Sequence, residues 1–162
     1  MKFAILATAV SASNIFAPQD WASIYKGYIN GGMQIEQGDA MPQGTSTWTQ
    51  CSDSTGVFHY TKAVVTPSNI EKGVPTTYDI TGTLDKPIHV NDVTLVTKWN
   101  GMVVKTVTLP GGDYTTTYEL KIDQTIDTTA PSGNYVVTAT ANGSLKAGEN
   151  GTVGCVQGKF SL

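Results

Sequence analysis

The sequence has no arginine. Its ten basic residues are all lysine, set against thirteen acidic ones, for a net charge of −3. Bidentate contacts to phosphate or guanine are usually made by arginine. An acidic chain without a basic run therefore excludes nucleic acid as a partner and is drawn only weakly to an anionic membrane. Charge of either sign is scarce: 14% of residues, against ~25% in an average globular protein. Histidine occurs twice, at His59 and His89, and cysteine twice, at Cys51 and Cys155. So few ligating groups, so far apart, make no zinc spacing, and the scattered aspartates make no EF-hand. Neither a metal nor a cofactor is expected. Beyond the first seventeen residues no apolar run approaches the ~20 residues a membrane-spanning helix needs.

What is present is threonine, valine and turn residues. Hydrophobic residues make up 40% of 162 positions, enough for one domain with a core. Lys2, the apolar run Phe3–Val10 and the small residues that follow read as a secretory signal over 1–17. A buried first strand is the competing reading. Segment 18–47 is ambiguous: Trp21, Ile24, Tyr25 and Tyr28 have helix-like spacing, but Gly27, Gly31 and Gly32 weaken a helix. It reads as a pro-segment or an edge strand. The main domain is 48–162.

In that domain short alternating runs follow one another between turn residues. The pattern predicts strands over 57–66, 76–84, 88–99, 102–109, 114–123, 134–141 and 152–162. Asn100-Gly101 predicts a type I′ hairpin between the third and fourth. Pro110-Gly111-Gly112 predicts the end of the fourth. In the fifth, Tyr114, Thr116, Tyr118, Leu120 and Ile122 alternate with polar residues, giving one wet face and one buried face. The fold class is all-β: an immunoglobulin-like sandwich of about seven antiparallel strands. In a secreted or lumenal, oxidising compartment Cys51 and Cys155 are expected to pair and tie the two ends of the sandwich together. The closed loop of about a hundred residues would contribute roughly 4–5 kcal/mol. Asn142 and Asn150 head Asn-Gly-Ser and Asn-Gly-Thr sequons, expected glycosylation sites flanking a solvent-facing loop.

No nucleophile elbow, H-E-x-x-H or phosphate-cradling glycine loop is present. A His–carboxylate pair with Asp92 is conceivable but lacks a nucleophile, so the chain is not expected to be an enzyme.

Several short motifs recur in a known order. They are Cys51-Ser52-Asp53-Ser54-Thr55-Gly56-Val57, then Val65-Thr66-Pro67, Lys72-Gly73, Pro131-Ser132-Gly133-Asn134-Tyr135, and Gly154-Cys155-Val156 followed by Phe160. In that order they resemble the ML-domain lipid-recognition family, which includes soluble sterol carriers and phosphatidylglycerol/phosphatidylinositol transfer proteins. The family usually has six cysteines; here only the first and last remain, and Ala130-Pro131 stands where Cys-Pro is common.

The resemblance implies a soluble carrier with a lipid cavity between its sheets, working in a lysosome- or vacuole-like lumen or after secretion. The ligand would be a sterol or phospholipid, entering tail-first with its head near the mouth. Loading would need a transient membrane contact or an acceptor protein, which no motif names, and a monomer is expected. The implied pocket residues are Tyr78, Ile80, Val93, Leu95, Trp99, Val107, Leu109, Tyr118, Leu120, Ile122, Ile126 and Tyr135, with Val107, Leu109 and Ile126 at the mouth. The alternative is a structural or adhesive immunoglobulin-like module whose core is simply filled.

Overall fold

The computed structural model describes residues 43–51, 56–146 and 149–162. The expected signal segment, and nearly all of the ambiguous segment after it, lie outside the described residues. Eight strands follow in order: β1 Thr47–Gln50, β2 Phe58–Thr66, β3 Pro75–Leu84, β4 Ile88–Trp99, β5 Met102–Tyr114, β6 Thr117–Thr125, β7 Asn134–Lys146 and β8 Glu149–Ser161. They form a five-stranded sheet, β1-β8-β7-β4-β5, facing a three-stranded sheet, β2-β3-β6. All strand pairs are antiparallel. The chain changes sheet at β1–β2, β3–β4, β5–β6 and β6–β7, as in an immunoglobulin-like sandwich.

The alternation read from the sequence is the alternation of burial. On β3, Thr76, Tyr78, Ile80, Gly82 and Leu84 point inward. On β6 the inward set is Tyr118, Leu120, Ile122 and Gln124. On β4 the inward set shifts by one between Val90 and Val93, because a bulge at Asn91 interrupts the pairing with β7. One extra residue turns every later side chain to the other face. Asn100 (φ 45°) and Gly101 (φ 85°) make the turn between β4 and β5. Both dihedrals lie where a type I′ turn requires them.

Four expectations need correction. The strands number eight, because the short run Thr47–Gln50 pairs with β8 as an edge strand. β5 does not end at Leu109. It continues through Pro110, which pairs with Asp92, to Tyr114. Among the described residues β5 is an edge strand with no partner on its outer side, so proline's missing N–H costs no ladder bond there. Gly111 lets it run on, since a Cβ there would strike the Val90 backbone. Tyr114 therefore closes β5, and the next strand starts at Thr117.

The sequons flank no long loop, because β7 and β8 extend as a hairpin that places Asn142 and Asn150 in its arms. Gly143, the middle residue of the first sequon, lets β7 pass close to β4, since a Cβ would meet the His89 carbonyl. Finally, Cys51 and Cys155 are bonded, with Cα atoms 5.3 Å apart and 104 positions apart in sequence. The bond does not join the two ends of the sandwich. It pins the end of β1 to its neighbour β8, where the Cys51 N–H also donates to the Cys155 carbonyl at 3.0 Å.

Candidate functional site

The interior has three aromatic groups at three levels. At one end of the sandwich Phe58 meets Tyr118 edge-on (5.8 Å), and Tyr118 meets Tyr114 (4.5 Å). In the middle Trp48 of β1 packs on Tyr78 of β3 (5.6 Å), linking the two sheets. At the far end Tyr135 stacks on Phe160 (5.5 Å). There the Tyr135 hydroxyl donates to the Pro131 carbonyl at 2.7 Å, and Trp99 Nε1 donates to the Ser132 carbonyl at 3.2 Å. These bonds lock the far end and satisfy the polar atoms of its rings.

At the Phe58 end the packing is looser. A void of about 20 Å³ lies between the sheets, lined by Ile80, Leu84, Tyr118 and Leu120 on one side and by Val93, Ala139, Ala141 and Val153 on the other, with Phe58 and Ile88 beside them. Its cause is local. Central strand β7 offers only Ala139 and Ala141 to the interior here, beside Val153, Gly154, Cys155 and Val156 of β8. Larger side chains would fill a gap that sheets about 10 Å apart leave between small ones. The lining is almost wholly apolar.

Of the twelve implied pocket residues, Ile80, Val93, Tyr118 and Leu120 line this void. Tyr78, Leu95, Trp99, Ile122 and Tyr135 are buried deeper in the core. Leu109 and Ile126 are buried and Val107 is half-buried, on or next to the edge strands β5 and β6, and none of the three lines the void. Phe58, Leu84, Ile88 and Val153 line it and were not singled out from the sequence. Leu84 and Ile88 carry the inward alternation and could have been found that way. Phe58 takes its place because the backbone of Gly82 and Gly154 leaves room for its ring.

Deeper in, a second feature stands out. The Tyr78 hydroxyl, Thr97 Oγ1 and both polar atoms of the Gln124 amide are buried without a hydrogen-bond partner. The residues are 1%, 0% and 4% exposed. Burial pushes the Tyr78 hydroxyl well above its ordinary pKa, and a weak hydrogen-bonding interaction with the Gln124 side chain, too long or bent to make a full bond, opposes that rise only in part. Leaving such groups unpaired costs about 1–3 kcal/mol each. Tyr118 is likewise pushed up, first by burial and then by the nearby Tyr114.

The histidines lie on the surface. His59 Nε2 is 2.9 Å from Asp85 Oδ2, and His89 Nδ1 is 2.6 Å from Asp113 Oδ1. Neither pairs with Asp92, whose Oδ1 accepts from Asn142 Nδ2 at 2.8 Å. Among the described residues no group of three or more His, Cys, Asp or Glu could hold a metal, and no helix is long and apolar enough to cross a membrane.

No family model and no curated protein matches the chain. The C-terminal domain of wzt is a solved structure similar to it, with a TM-score of 0.49 and 8% identity over 80% of this chain and 86% of that one. That likeness carries no argument about function.

Proposed function

We propose that this chain is a non-enzymatic carrier that holds a lipid between its two sheets, in an oxidising secretory or lumenal compartment. The observation behind the reading is the apolar void at the Phe58 end. It is walled by both sheets and faced by the small residues Ala139 and Ala141 of β7. The ordered motifs that resemble the ML-domain family, and the Cys51–Cys155 bond, support the same reading. A lipid would enter by parting the sheets beside the void and would bury a few hundred Å² of apolar surface. At ~25 cal/mol per Å² that is several kcal/mol before ordering costs.

The small size of the void favours a second reading. Ligand pockets run to about 300–1,000 Å³, far above 20 Å³, which suits a structural or adhesive module with a filled core. Native mass spectrometry of the purified chain, followed by lipid extraction, separates the two. One lipid per chain is the expected result. A lipid-free chain that also refuses added sterol and phospholipid would overturn the carrier reading.

A further inference from the structure

We propose that the unpaired polar groups of Tyr78, Thr97 and Gln124 form an internal hydrogen-bonding site for the polar end of a neutral, hydroxyl-bearing amphiphile. The inference rests on the carrier reading and reverses the expected tail-first orientation.

The strand registers place Thr97 and Tyr78 at one level and Gln124 at the next inward level beyond it. Thr97 pairs with Val137, Val137 with Gly158, and Gly158 with Trp48, forming one row across the five-stranded sheet. The Trp48 ring of that row packs directly on Tyr78 of the facing sheet. Gln124 is two residues further along β6 than Ile122, the partner of Tyr78, and lies opposite Thr76. Because β2 lies against β1 and β8, the order β2-β3-β6 sets β6 on the β4 side, where Thr97 sits. The level also lies next to the void in depth. From the Phe58 end, the pairs Gly82–Tyr118 and Ile80–Leu120 come first, then Tyr78–Ile122, then Thr76–Gln124. A chain filling the void and pushing further inward would meet Tyr78 next, and would reach Thr97 and Gln124 by displacing the side chains of Leu95 and Ile122, which stand between them and the void.

Their chemistry selects the ligand. A hydroxyl and an amide each offer a donor and an acceptor, and the third side chain, a phenol, does the same. Among the described residues the buried polar side chains other than tyrosine are only Thr76, Thr97 and Gln124, none of them charged. A carboxylate or phosphate would find no counter-charge at this depth. A single hydroxyl would find both donors and acceptors.

The test uses the full chain, stripped of lipid, with dodecanol, dodecane and dodecanoate as probes, read by the rise in unfolding temperature. Dodecanol is expected to bind about tenfold more tightly than dodecane, one hydrogen-bonded end being sufficient for that ratio, and dodecanoate more weakly than dodecanol. In Gln124→Leu, Thr97→Val and Tyr78→Phe the preference for the alcohol should fall to within about threefold of parity. The same variants without ligand should unfold at the wild-type midpoint or above it, since each loses an unpaired polar group. A lowered midpoint would mean the groups already serve a structural bond, and would overturn the proposal. So would variants that keep the alcohol preference. Wild type that takes up dodecanol and dodecane equally would refute this site alone, whereas wild type that takes up neither would refute the carrier reading with it.

Discussion

Replacing both Cys51 and Cys155 by alanine should cost this domain about 4.7 kcal/mol. The figure follows from the loop. The bond closes 104 residues, and in the chain-entropy model a loop of about a hundred residues removes about 16 cal/mol/K from the unfolded ensemble, or about 4.7 kcal/mol at 25 °C. Nearly the whole described domain lies inside the loop, so the constraint acts on global unfolding. Against a total stability of about 5–15 kcal/mol, the loss is about a third of the total or more.

Urea unfolding checks it. With a slope of about 2 kcal/mol/M, the midpoint should fall by about 2 M at unchanged slope. The competing outcome is local. Cys51 ends a four-residue edge strand, so the bond could hold only β1 against β8. Amide exchange would then quicken over Thr47–Gln50 alone, and the midpoint would move by less than about 0.5 M. That result would refute the entropic argument and leave the disulfide as a clamp on one edge.

The remaining predictions address the interior and the surface. Ala141→Leu should fill the void and abolish lipid uptake while destabilising by about 1–3 kcal/mol from overpacking; native mass spectrometry and thermal unfolding read the two effects. Burial raises the Tyr78, Tyr118 and Tyr135 hydroxyls above their unfolded pKa of 10.0. Their contribution to stability is therefore complete below pH 10 and falls as pH rises toward their folded values, by up to about 1.4 kcal/mol per pH unit for each tyrosine. Denaturant titrations at stepped alkaline pH should show that loss, with a shallower slope in Tyr118→Phe. Of the two sequons, Asn150 is exposed and bonds through Oδ1, whereas Asn142 is half-buried with Nδ2 committed to Asp92. Glycan-release mass spectrometry of chain secreted from a glycosylating host should show one glycan, lost in Asn150→Gln and kept in Asn142→Gln.

The sequence by itself determined the fold class and most of the strands. Strict alternation leaves one face apolar, and a period of two has no other stable use than a half-buried strand. Ile88–Trp99 and the turn at Asn100-Gly101 are read from such local signals alone. So is the inward set Tyr118, Leu120 and Ile122. The tertiary structure decided whatever depends on a neighbour. Pro110 continues a strand because β5 has no outer partner among the described residues, which no local pattern states. Cys155 meets Cys51 inside one sheet because β1 joins the edge beside β8. Val107 and Leu109 carry the right chemistry for a pocket lining, yet the gap opens elsewhere, where Ala139, Ala141 and Gly154 face Ile80 and Leu120 across the sandwich. Whether inward side chains fill a space or leave one depends on the sum of volumes from both sheets, and only the docked sheets bring those volumes together. The same holds for Tyr78, Thr97 and Gln124. Each reads from the sequence as an ordinary strand residue, and only burial without a partner sets them apart.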